Sequence, residues 1–102
     1  MSETDLKRAI AKRLELHGWL VTRVQCGGYR GRMAFAKPGT EDLACMAPGG
    51  RYVAVETKIR GGRLSEAQIK RSGEVIKRGG IYLVMRCTGD ADAAAADIGG
   101  AR

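Results

Sequence analysis

Residues 41–58 read EDLACMAPGGRYVAVETK, and the register of this stretch decides the fold. Two runs of strand composition, 41–46 and 51–58, flank the turn signal APGG, so the segment is expected to be an antiparallel hairpin. Side chains alternate across a strand, which puts Tyr52, Ala54, Glu56 and Lys58 on one face and Val53, Val55 and Thr57 on the other. If Pro48, Gly49 and Gly50 form a three-residue loop, Ala47 pairs with Arg51. Asp42 then lies opposite Glu56 on the Ala44/Ala54 side, with Cβ atoms about 4.5–5.5 Å apart. A four-residue loop would oppose Glu41 to Glu56 instead. Either register faces two carboxylates across the hairpin, with Lys58 one pleat further on.

Like charges directly opposite each other destabilise a sheet, so a purely structural hairpin has little reason to keep them. Two converging acids, joined by a strand carbonyl, suit a hard cation such as Mg²⁺ or Mn²⁺. A protonated lysine cannot ligate that cation, but it can hold a water or offset the charge of a phosphate. An acid and a base on one face of an apolar strand are explained if both address one phosphate.

Working outward, Ser2 is a candidate N-cap, and Leu6, Ile10 and Leu14 recur at helical spacing until Gly18. Glu3 falls on the same stripe, where it is either a first-turn partner of the helix dipole or a group aimed inward. Residues 19–26, WLVTRVQC, alternate as a strand. The Gly-rich, basic stretch 27–39 is expected to be an ordered loop with a short strand near Met33–Ala36. It lacks the Gly-Lys-Ser/Thr ending of a phosphate-binding P-loop. After the hairpin, GGRL breaks the chain, and Ser65 to Gln68 have capping-box spacing for a helix that Gly79 and Gly80 stop. Its expected inward residues are Ile69, Ser72, Gly73 and Ile76. IYLVMRC, 81–87, is another strand, and residues 90–102 are expected to form a short Ala-rich helix and a frayed tail. The order implies one α/β domain over 1–102, a mixed sheet flanked by helices.

Composition narrows the function. The net charge is +7, with eight Lys/Arg against three acids over residues 51–82. A small domain this basic points to a polyanion such as nucleic acid, although solubility alone also explains such charge. No apolar run approaches the ~20 residues of a membrane span, and no signal peptide opens the sequence. Cys26, Cys45 and Cys87 are odd in number and never spaced C-x-x-C, against a disulfide framework or zinc site and for a reduced compartment. The single His17, near a helix end, reads as a polar surface residue rather than a catalytic one. Tyr29, followed by Arg30 and Arg32, would suit a loop that grips a nucleic-acid backbone, or a solvated turn.

The series Asp42, hairpin turn, Glu56-Thr57-Lys58 resembles the D…E-x-K signature of the PD-(D/E)XK nuclease superfamily. Residues 38–43 (PGTEDL), the Gly-Gly before the second strand, VETK, GGRLSEAQ and RGGIYLVMR are together similar to its virus-type replication-repair nuclease (VRR-NUC) branch, from about Glu3 to Arg86. The resemblance implies a restriction-endonuclease-like α/β fold and a Mg²⁺- or Mn²⁺-dependent deoxyribonuclease. It makes Asp42, Glu56 and the Val55 or Thr57 carbonyl the metal ligands and Lys58 the catalytic lysine. Glu3 matches the family's acid on the first helix and Gln68 its glutamine on the later one; closing the capping box is the alternative role for Gln68. Glu41 departs from the family's usual proline and is a further candidate ligand. The resemblance also implies branched DNA such as four-way junctions or flaps, a homodimer, and a replication-recombination role in the cytoplasm of a bacterial or phage-infected cell. Arg30, Arg32, Arg60, Arg63 and Arg71 are the expected phosphate contacts. The alternatives are a DNA-binding module of the same fold without catalysis and an interaction subunit whose acids and bases form plain ion pairs.

Overall fold

The computed structural model describes residues 1–24 and 37–100. Tyr29, Arg30, Arg32, Cys26 and the short strand expected near Met33–Ala36 lie outside the described residues. The chain runs α1 (Glu3–Leu16), β1 (Leu20–Arg23), β2 (Leu43–Ala47), β3 (Arg51–Thr57), α2 (Glu66–Lys77), β4 (Ile81–Met85) and α3 (Thr88–Ile98). Among the described residues, four strands form one sheet in the order β1-β2-β3-β4, antiparallel except for the parallel pair β3 and β4, which α2 connects. This is the expected α/β arrangement.

The hairpin takes the three-residue loop. Ala47 pairs with Arg51 and Leu43 with Val55, so the carboxylates on the next step are those of Asp42 and Glu56. Gly49 and Gly50 hold φ of +96° and +86°, a left-handed conformation that side-chain-bearing residues rarely adopt. β2 begins at Leu43, so Glu41 and Asp42 stand in the segment entering the strand, not in the ladder.

Odd-numbered hairpin residues form the core. Leu43, Cys45, Val53 and Val55 pack with Leu6, Ile10 and Leu14 of α1 and with Ala91 and Ala94 of α3. The Ala-rich C-terminal segment is therefore structural: α3 starts at Thr88, buries Ala91, Ala94 and Ala95, and is followed by Gly99, whose carbonyl accepts a 2.7 Å bond from Trp19 Nε1. Small residues at i, i+3 and i+4 let α3 approach α1 and the sheet closely.

α2 covers part of the other face, with its apolar side outward. Ile69 and Ile76, expected inward, are 57% and 58% exposed. The side turned to the sheet carries Gln68, Arg71 and buried Val75. The physical reason is the sheet surface itself, where carboxylates make hydrogen-bonding side chains better partners than isoleucines.

The core reading gives a chemical test. Cys45 is buried and its thiol is pushed up to about 12, first by burial and then by the Glu41 charge, whereas Cys87 is exposed. A thiol-specific reagent at neutral pH is expected to label Cys87 in the native protein and Cys45 only after unfolding. Peptide mass mapping that finds equal labelling would contradict this packing.

Candidate active site

Three elements converge at the open end of the hairpin. The N-terminal turn of α1, capped by Ser2 Oγ accepting from the Asp5 N–H, supplies Glu3 and Lys7. The β2 entry and the end of β3 supply Asp42, Glu56, Thr57 and Lys58, and the first turn of α2 supplies Gln68. Glu3, Lys7, Asp42, Glu56, Lys58 and Gln68 all line one cleft of about 290 Å³.

Asp42 is held firmly. Its Oδ2 accepts from the Thr57 backbone N–H at 3.0 Å and from Thr57 Oγ1 at 2.9 Å. Glu56 is 3% exposed; its Oε2 accepts from Gln68 Nε2 at 2.7 Å and lies 3.8 Å from Lys58 Nζ. Its other oxygen, Oε1, is buried with no hydrogen-bond partner. Burial first, and the neighbouring Asp42 charge second, push the Glu56 carboxyl up to about 8, against the smaller pull of Lys58. A buried acid that resists ionisation, with one oxygen unsatisfied, fits a site that takes a positive counter-charge.

Gln68 closes the capping box and also reaches the cleft. Its Oε1 accepts from the Ser65 N–H at 2.8 Å while its own backbone N–H donates to Ser65 Oγ at 3.2 Å, completing the capping box, and the side-chain amide turns its N–H to Glu56. Glu3 is exposed on the first turn of α1 yet faces the cleft.

Glu41 stands apart. It is fully buried, accepts from Arg71 Nε at 2.8 Å and Nη2 at 3.3 Å, and also accepts from the Tyr52 hydroxyl. Burial alone would raise its carboxyl, but these donors outweigh it and hold the group below the usual carboxylate range. Both its oxygens are occupied, so the structure brings it to Arg71 rather than to the cleft. Arg71 likewise meets Glu41, while Arg60 and Arg63 are exposed on the loop after Lys58. His17 lies at the far end of α1, about 20 Å from its start at 1.5 Å per residue, bound to Asp92 Oδ1 at 2.7 Å beside Arg13. Sequence reading missed Lys7, which helical spacing from Glu3 marks at i+4, and the Glu41–Arg71–Tyr52 cluster, whose members are too far apart in sequence to signal one another.

The donor set fits a hard cation, since Glu56 Oε1 is an orphaned oxygen beside a second carboxylate. Among the described residues, no group of three or more His, Cys, Asp or Glu side chains comes together as a metal site. A third protein oxygen would come from the backbone. The N–H and C=O of one strand residue point to the same edge. Thr57, whose N–H meets Asp42 beyond the last β2 pair, therefore turns its carbonyl to that side too, making it the better placed of the two carbonyls considered.

A solved structure titled "VRR_NUC domain" superposes with a TM-score of 0.70 at 24% identity, covering 92% of this chain and 94% of that one. The chain has the VRR-NUC fold, among the described residues a mixed four-stranded sheet flanked by three helices. No family model matches the sequence, and no curated protein matches it either. Among the described residues, no helix is long and apolar enough to cross a membrane.

Proposed function

We propose that the chain is a divalent-metal-dependent deoxyribonuclease whose active site is the cleft of Asp42, Glu56 and Lys58. The observation that carries this reading is the buried, partnerless Oε1 of Glu56, a carboxylate that shares its cleft with Asp42 and Lys58. Asp42 and Glu56 are the side chains that hold Mg²⁺ or Mn²⁺, with the Thr57 carbonyl. When bound, such an ion polarises a phosphoryl oxygen and lowers the pKa of a coordinated water.

The chain's own residues do the remaining work. Thr57 orients Asp42 through two hydrogen bonds, and Gln68 orients Glu56 through one. Lys58, its side chain 17% exposed, brings an ammonium to the same cleft, where it holds the attacking water or neutralises charge gathering on the phosphate. Glu3 and Lys7 form the α1 wall, Glu3 adding carboxylate charge near the cation and Lys7 a contact for a flanking phosphate.

Arg60 and Arg63 carry the DNA backbone beyond the cleft. Each phosphate contact made releases condensed counterion and so steepens the salt dependence of binding. Replacing both by alanine is expected to reduce the slope of log K against log salt by about two, since each contact contributes about 0.9. Fluorescence titrations at several salt concentrations measure it, and an unchanged slope would remove these arginines from the interface.

The resemblance supports branched DNA as substrate and a homodimer presenting two clefts for paired incision. Cleavage of labelled single strand, duplex, flap and four-way junction tests this together with sedimentation of the active species. Preferential cutting of the junction or flap by a dimer supports the reading. Equal cutting of all four leaves a nuclease without shape selectivity, and tight binding without cuts in any metal points to a catalytically silent module.

A further inference from the structure

The inner side of α2 touches the carboxylate-bearing segments at three neighbouring places. Gly39, at φ +87°, lies against the helix so closely that an added Cβ would be 2.5 Å from the Ala67 carbonyl oxygen. One residue on, Gln68 reaches Glu56. One turn on, Arg71 grips Glu41 with two nitrogens, and Tyr52 of β3 closes the cluster. Glu41 is bonded through its peptide to Asp42, whose own carboxylate is tied to Thr57.

A fully buried carboxylate paired with arginine contributes little net stability, because desolvation offsets most of the attraction. A bidentate guanidinium instead defines orientation as well as distance. With Glu41 anchored on α2 and Asp42 on β3, little freedom remains for the peptide between them. The same anchoring fixes the helix that aims Gln68. Resting on the reading of Asp42 and Glu56 as the working carboxylates, we infer that the Glu41–Arg71 pair is a positioning device: it locks α2 to the segment entering β2 and thereby sets Asp42 and Gln68 on either side of Glu56.

The Thr57 amide reports this directly, since its acceptor is the Asp42 side chain. The test is amide hydrogen exchange by NMR on the metal-free protein, with Mn²⁺ titration alongside, for wild type, Arg71→Lys, Arg71→Gln and the double variant Glu41→Gln/Arg71→Gln. Arg71→Gln leaves a charged Glu41 buried and is prone to unfold; the double variant removes both charges at similar volume and keeps the test decisive. In the double variant the Thr57 amide is expected to exchange about tenfold faster or more, the cost of one weakened hydrogen bond. The ladder amides of Val53 and Val55 keep their wild-type rates. Mn²⁺ affinity falls by about 10–100-fold, the usual effect of losing a partner that orients a ligand. Arg71→Lys, which keeps the charge and loses the fork, lies between.

Wild-type Thr57 exchange and Mn²⁺ affinity in the double variant would overturn the inference. So would equal acceleration of Thr57, Val53 and Val55, which marks a general loss of stability. A wild-type protein that neither takes up Mn²⁺ nor cuts DNA sinks the nuclease reading instead, and the Thr57 rates still decide whether the pair holds Asp42.

Discussion

Lys58→Ala is expected to fold as wild type does and to cut DNA about 10²–10³-fold more slowly, the usual loss when one preorganised charge is taken from a developing anion. The backbone keeps its place because the Lys58 N–H bonds to the Met85 carbonyl at 3.1 Å whatever the side chain. What disappears is the ammonium 3.8 Å from Glu56 Oε2. Single-turnover cleavage at saturating Mn²⁺, beside a thermal melt, separates chemistry from folding. A melt within a few degrees of wild type with slow cleavage is the predicted pair of results, whereas full activity would exclude Lys58 from the chemistry.

Glu56→Gln has opposite effects on stability and activity. The Glu56 carboxyl rises from the ordinary 4.5 to about 8 in the fold, first through burial and then through Asp42. A raised folded-state value means that the native state binds the proton more tightly than the unfolded chain. Its stabilising contribution is whole below 4.5 and is lost as pH climbs through about 8. Melting in EDTA should therefore fall across that window in wild type. The full effect is on the order of a few kcal/mol, or roughly 10 °C or more for a domain of this size. In Glu56→Gln this part of the pH dependence disappears and the protein melts higher at pH 8, while metal-dependent cleavage is abolished. Mn²⁺ should restore the wild-type melt at pH 8 and do much less for the variant, since the carboxylate must shed its proton to bind a cation. Parallel pH profiles for the two proteins would show that Glu56 is not the strained group.

Much of this site was legible because its determinants are local. APGG sets the loop, the loop sets the register, and the register places Asp42 beside Glu56. Ser65 and Gln68 announce the start of α2 by their spacing alone. The orientation of α2 was not legible, because the hydrophobic pattern assumes that apolar residues face inward. Here the facing sheet carries buried acids, so Gln68 and Arg71 turn inward and Ile69 turns out. Arg71 read as a phosphate contact from charge alone; its partner Glu41 lies thirty residues away, a separation that no local rule connects. The run of alanines after Gly89 carried a usable signal, since Ala91, Ala94 and Ala95 share one helical face and all three are buried. The sequence reading had the short Ala-rich helix with a frayed tail, but not the buried face these alanines make.

On the proposed function, the Asp42/Glu56 cleft hydrolyses DNA only when a divalent cation joins it. The most direct test incubates a labelled four-way junction with wild type and with Asp42→Asn, each in Mn²⁺ and in EDTA, once both proteins are shown to fold. Cuts are expected in a single condition, wild type with Mn²⁺. Cleavage by Asp42→Asn at the wild-type rate, or by wild type in EDTA, would contradict it.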